Sequence, residues 1–258
     1  MSKPLILVTN DDGISAPGIR KLIKLMRQVG NVVVVAPEGP QSAMGHAITI
    51  KYPLIFKEIE ITDNYKEYSL NGTPVDCVKF GLHKLLNRKP DLVVSGINHG
   101  SNASINIIYS GTMGAALEGA MGGIPSIGFS ILDYSHDADF SLAEEHILRI
   151  ARKVIEEGLE EGIALNVNFP KTLANKDYHG VKICRQSKAY WKEDFAERID
   201  PRNGRPYYWL TGTFTINEND DATDEWALAN YYVSIVPVQF DFTAYQQIEK
   251  LKTWETNV

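Results

Sequence analysis

Residues 5–13, LILVTNDDG, constrain the fold more than any other stretch: an apolar, β-branched run stops abruptly at an amide, two adjacent carboxylates and a glycine. Such a run without polar alternation reads as a strand buried on both faces, as in a parallel sheet covered by helices. Ser15 is then placed to cap a helix with Pro17 in its first turn. Ile19, Leu22, Ile23 and Met26 recur at the spacing of one buried face until Gly30 ends it. A second buried run, residues 31–36 (NVVVVA), follows at once. The opening is therefore β-α-β, a crossover unit that is right-handed in nearly all sheets. The expected fold is α/β, with a mostly parallel sheet flanked by helices.

In open sheets of this class ligands bind beyond the carboxyl ends of the strands, which is where Asp11 and Asp12 fall. Neighbouring carboxylates repel, and either a divalent cation or protonation of one acid relieves them. The alternative is that one caps the following helix and the other is solvated. The loop 37–46, PEGPQSAMGH, emerges on the same rim and carries Ser42, which either reaches the site or only shapes a turn. Residues 91–95 (DLVVS) form a further strand, and Asn98, Gly100 and Asn102 come off its end onto that rim. Ser110, Gly111 and Thr112 open a helix of small residues. Its N–H groups, dipole and two hydroxyls suit a phosphate oxyanion, while Ser110 as a plain N-cap explains the same letters.

Residues 47–70 read as peripheral strands or a hairpin. Thr73, Pro74 and Asp76 make a capping box before a stripe of Val75, Val78, Leu82, Leu85 and Leu86. Gly114 and Gly119 imply close approach of the small-residue helix to the sheet. A strand at 125–130, a helix from Ser141 to about residue 157 with Glu144 completing a second capping box, and a strand at 163–169 finish a catalytic domain of residues 1–170. Segment 171–258 is turn-rich and aromatic, with strands at 207–215 and 231–238 and a terminal helix at 242–254. It is expected to pair with another subunit.

The net charge of -6 over 258 residues argues against a protein that coats nucleic-acid polymers. No run reaches membrane length and the apolar start is too short for a signal-peptide core, so a cytoplasmic protein without membrane association is expected. Cys77 and Cys184 fit no metal spacing and read as buried thiols in a reducing compartment.

Asp11, Asp12, Ser42 and Asn98 are hard oxygen donors, a set that suits Mg²⁺ or Mn²⁺ over a closed zinc site. Beside a phosphate-holding helix start, the natural reaction is metal-assisted hydrolysis of a phosphate ester. His46 and His99 lie in rim loops, as general acids for the leaving oxygen or as solvated loop residues.

The ordered blocks NDDG, PEGPQSA, NGTPVDCV, SGINHGSN, YSGTMGAALEG, GIPSIGFS and YYVSIVPVQFDFTAY resemble the SurE-type survival proteins nearly end to end. That family consists of divalent-metal-dependent nucleoside monophosphate phosphatases (5'/3'-nucleotidases). The resemblance implies hydrolysis of nucleoside 5'- and 3'-monophosphates by a metal-activated water, with one Mg²⁺ or Mn²⁺ per subunit. It makes Asp11 and Asp12 catalytic, with Asp11, Asp12, Ser42 and Asn98 as metal ligands. Asn98, Ser110, Gly111 and Thr112 match the phosphate-contacting region, and Gly100 and Asn102, in the same block as Asn98, are expected to bind substrate phosphate with them. It further implies a Rossmann-like amino-terminal domain and a homodimer or homotetramer formed by exchange of carboxyl-terminal arms. Asn106 stands where many members carry an acidic residue, and Val236 where threonine is usual.

Three rivals compete with this reading. Aspartyl phosphatases attack phosphorus with an aspartate, but their acids are spaced by one residue and followed by threonine. A phospho-receiver domain needs an aspartate at the end of its third strand, where this chain has Ser95 and Asn98. A metal and nucleotide sensor without turnover would share the same residues.

Overall fold

The computed structural model describes residues 3–255. In β1 (Leu5–Thr9), Ile6, Leu7 and Val8 are fully buried, as a strand covered on both faces requires. The chain crosses through α1 (Pro17–Met26) to β2 (Asn31–Pro37), which lies parallel to β1. A hairpin of β3 (Phe56–Ile61) and β4 (Tyr65–Leu70) follows, with β4 parallel to β2 and β3 antiparallel at the edge. Regular alternation resumes with α2 (Pro74–Phe80), β5 (Leu92–His99), α3 (Gly111–Met121), β6 (Ser126–Ile131), α4 (Ser141–Glu157) and β7 (Ile163–Phe169). The remaining elements are β8 (Val181–Ile183), β9 (Ala189–Ile199), β10 (Pro206–Ile216), α5 (Asp224–Ala229), β11 (Val233–Gln239) and α6 (Tyr245–Leu251).

Among the described residues, nine strands form one sheet in the order β3-β4-β2-β1-β5-β6-β7-β11-β8, parallel from β4 to β7. The chain winds outward from β1 in one direction and returns at β5 to wind in the other. The switch point, where strand ends part to admit a ligand, therefore lies between β1 and β5. Alternate residues of each strand feed opposite cores. Ile6, Val8 and Val94 pack with Leu22 of α1 and Ile147 of α4, while Leu7 and Val93 pack with Val78 of α2 and Ala115 of α3.

The capping box at Thr73 and Asp76 forms, and Ser110 caps α3 by accepting from the Met113 N–H. Two expected caps do not form. Ser15 is exposed and Ala16 takes the N-cap position of α1, since Pro17 at the first turn already removes one donor in need of a partner. Phe140 precedes α4; Ser141 donates to Asp139 (3.0 Å), and Glu144 reaches Lys21 of α1 at 2.5 Å. Gly119 does press on the sheet, where a Cβ would meet Ser126 Oγ at 2.3 Å. Gly114 instead meets a loop, its Cβ position being 2.4 Å from the Gly45 carbonyl oxygen.

Segment 171–258 divides in two. β8 and β11 extend the main sheet, β11 antiparallel to β7. β9, whose apolar letters are interrupted by the charged run Lys192, Glu193 and Asp194 and which the sequence does not reveal, pairs with β10 over eleven residues as a separate ribbon. No helix of the described residues is long and apolar enough to cross a membrane.

Candidate active site

Asp11 leaves the end of β1 and is buried, with 6% of its surface exposed. Its Oδ1 accepts the Thr112 hydroxyl proton at 2.5 Å, and its carbonyl accepts the Gln41 N–H at 2.7 Å. The first turn of α3 rests directly on it: a Cβ on Gly111 would lie 2.9 Å from Asp11 Cβ, so glycine permits the contact. The acid after β1, the loop after β2 and the start of α3 are thus joined around one side chain. Burial pushes the Asp11 carboxyl up to about 6, against the Thr112 hydrogen bond and with the Asp12 charge adding to the rise.

Asp12 is half-buried, and its Oδ2 accepts the His99 N–H at 3.4 Å. Burial raises its carboxyl too, opposed by that N–H and by the His99 ring. Neither acid forms an ion pair with lysine or arginine among the described residues. A buried carboxylate beside a half-buried one, neither paired with lysine or arginine, is the condition a divalent ion relieves, so the side chains present fit one. No group of three or more His, Cys, Asp or Glu side chains placed to hold a metal occurs among the described residues, so a cation here must also draw on amide and hydroxyl oxygens.

Asn98 lies within the extended end of β5, where the pairing with β6 is irregular, rather than in a free loop. Its Nδ2 donates to the Gly100 carbonyl at 2.9 Å, leaving Oδ1 as the electron-pair donor for a cation. Ser42 is exposed, one residue after the Gln41 anchor on Asp11. Ser110 is buried, and capping uses an oxygen lone pair but not its hydroxyl proton.

Asn102 has a different setting: its N–H donates to Asn168 Oδ1 (2.9 Å) and its Nδ2 to Ser130 Oγ (2.8 Å). Asn166 Nδ2 donates to the Asn102 carbonyl, and Asn168 Nδ2 to Asn166 Oδ1, both at 2.8 Å. This closed ring of buried amides fastens the segment after β5 to β6 and β7. Ser130, Asn166 and Asn168 were missed in the sequence; the signal was two asparagines in an otherwise apolar strand, LNVNF.

The family model of the survival protein SurE matches residues 6–193. The chain belongs to the SurE family. It is 57% identical over 258 residues to the 5'-nucleotidase SurE of Flavobacterium psychrophilum, covering 100% of both chains. It is 53% identical over 257 residues to the protein of that name from Cytophaga hutchinsonii, covering 99% of this chain and 98% of the other. The crystal structure of the SurE protein from Aquifex aeolicus superposes with a TM-score of 0.83 at 39% identity, covering 98% of this chain and 100% of that one.

In this SurE-family chain the two rim histidines have partners of their own. His46 Nε2 lies 3.0 Å from Glu118, which also takes Lys79 at 2.6 Å, so loop, α2 and α3 meet at one buried carboxylate. Burial opposes ionisation of Glu118, but the His46 and Lys79 hydrogen bonds prevail and hold it below the usual range. His99 Nδ1 lies 2.9 Å from the Ser135 carbonyl, which fixes the proton on Nδ1. Of the two departures, Asn106 Oδ1 accepts from Trp191 Nε1 of β9 (2.9 Å), and Val236 packs with Cys184 and Ala227.

Proposed function

We propose that the chain hydrolyses nucleoside 5'- and 3'-monophosphates to nucleoside and phosphate with one divalent cation, Mg²⁺ or Mn²⁺, held by Asp11, Asp12, Ser42 and Asn98. Membership of the family makes it a phosphoric monoester hydrolase; metal, positional range and route are the finer part of the proposal. The observation that carries it is the contact of Asp11 with the first turn of α3, which makes the acid pair and the anion-binding helix start one site. When bound, such a cation lowers the pKa of a coordinated water and screens the phosphate dianion.

The protein's own residues supply the rest. Thr112 holds the Asp11 carboxylate in one orientation, and the His99 N–H does the same for Asp12. The N–H groups of the first turn of α3 and the Ser110 hydroxyl face the phosphate oxygens, where a helix dipole favours negative charge. Asn98 and Gly100 close the opposite side of the phosphate, while Asn102 acts from behind through its amide ring. His99 spends its proton on Ser135 and His46 faces Glu118, so the departing nucleoside oxygen takes its proton from water.

The same proposal includes a homodimer or homotetramer made by exchange of carboxyl-terminal arms. Two features support it. A groove of about 770 Å³ runs along α3 past Ser110, Gly114, Leu117 and Met121, the spacing of one helix flank. α6 buries none of its residues, and Phe242, Tyr245 and Trp254 are exposed. An unseated helix whose Tyr245, Ile248 and Leu251 are exposed complements, between copies, the apolar groove beside α3. The ribbon of β9 and β10, with Phe195, Tyr208 and Trp209 exposed, offers a second contact.

The test is phosphate release from a panel of nucleoside 5'- and 3'-monophosphates with Mg²⁺, Mn²⁺ or chelator, alongside Asp11→Asn. Activity should vanish on chelation and fall at least roughly hundredfold in the variant. Undiminished turnover in chelator would overturn the proposal, and a trapped aspartyl-phosphate would replace water attack by the covalent route.

A further inference from the structure

We propose that Tyr134 is the platform on which the substrate's nucleobase stacks, and that it gives the site its preference for nucleotides over phosphate esters lacking a base; this rests on the nucleotidase reading above. Tyr134 follows β6, the strand beside β5, and so stands on the rim next to Asn98. Its backbone is pinned from both sides. Asp133 Oδ1 accepts the Ser135 N–H (3.0 Å) and hydroxyl (2.6 Å), and the Ser135 carbonyl faces His99 Nδ1 at 2.9 Å.

The ring lies against Gly100, where a Cβ would come within 2.4 Å of Cε1. Gly100 is itself fixed, its N–H donating to the Ile131 carbonyl (2.8 Å) and its own carbonyl accepting from Asn98 Nδ2 (2.9 Å). A continuous chain of contacts thus runs from the cation and phosphate ligand Asn98 through Gly100 to the tyrosine. Yet Tyr134 is 79% exposed. A large aromatic side chain on a locked loop, contributing little to the core, is a surface preorganised for a flat partner. The phosphate is held at Asn98 and α3, and the base is the flat part of the substrate that extends away from it.

Stacking uses the π-face that every base possesses, so tolerance of all four bases, with purines favoured, is expected. The experiment compares wild type, Tyr134→Ala and Tyr134→Phe on adenosine 5'-monophosphate and on ribose 5-phosphate, which keeps the sugar and phosphate without the base. The alanine variant should raise KM for the nucleotide about tenfold with little change in kcat. KM for ribose 5-phosphate should stay the same, which also shows that the variant is folded, and phenylalanine should restore the nucleotide KM. An unchanged nucleotide KM in the alanine variant, an equal rise for both substrates, or failure of phenylalanine to rescue would each overturn the role of the ring. Wild type inactive on the nucleotide would overturn the nucleotidase reading, and this proposal with it.

Discussion

Replacing Asp11 by asparagine is expected to stabilise the metal-free protein while it abolishes the response to metal. Burial raises the Asp11 carboxyl from 3.8 to about 6. The folded state therefore binds this proton more tightly than the unfolded chain does. Its contribution to stability is full below pH 3.8 and is lost as pH climbs through about 6. A shift of roughly two pH units corresponds to about 3 kcal/mol, the penalty that metal-free wild type carries at pH 7.5. Asparagine keeps the shape and can still accept from Thr112, but it adds the cost of burying an amide. A gain of about 1–3 kcal/mol is expected, or a Tm higher by roughly 2–10 °C for a chain of this size. The assay is urea and thermal unfolding in chelator from pH 4 to 8, repeated with Mn²⁺. Wild type should lose stability between pH 4 and 6 more steeply than the variant. At a hundredfold excess over its Kd the metal should return about 2.7 kcal/mol to wild type and far less to the variant. A variant less stable than metal-free wild type at pH 7.5, or pH profiles that run parallel, would refute the reasoning.

Gly111→Ala would drive a methyl to 2.9 Å from Asp11 Cβ and 3.2 Å from Pro74 Cγ, costing about 1–3 kcal/mol in denaturant unfolding and weakening inhibition by inorganic phosphate. Arg20→Ala removes the bidentate partner of Glu67, whose side chain is 5% exposed, together with the bond to the Ile14 carbonyl. Tyr65 alone cannot neutralise that acid, and a loss of about 2–4 kcal/mol should appear in the urea midpoint. Truncation after Asp241 should convert the assembly to smaller species in sedimentation, whereas an unchanged mass would refute arm exchange.

The parallel sheet was legible because its strands are uninterrupted apolar runs, such as NVVVVA, which few other structures accommodate. The position of the acids was legible for a related reason: polar letters directly after a buried strand mark the rim. Caps proved less readable. Thr73 with Asp76 and Ser141 with Glu144 offer the same spacing, but Lys21, far away in sequence, captures Glu144. β9 escaped notice because Lys192, Glu193 and Asp194 interrupt its apolar letters, unlike those of its partner β10. Asn102 sat in a phosphate-like context, and its engagement by Asn166 and Asn168 depends on partners more than sixty residues downstream.

That closed circuit of amides also limits how the protein can change. Every member gives or receives a bond from another, and each is shut away from solvent, so altering one strands its neighbours without water to compensate. Libraries randomised at Asn102, Ser130, Asn166 and Asn168 should yield working clones chiefly when the four vary in concert. The rim would thus inherit its shape from a cluster that tolerates drift poorly.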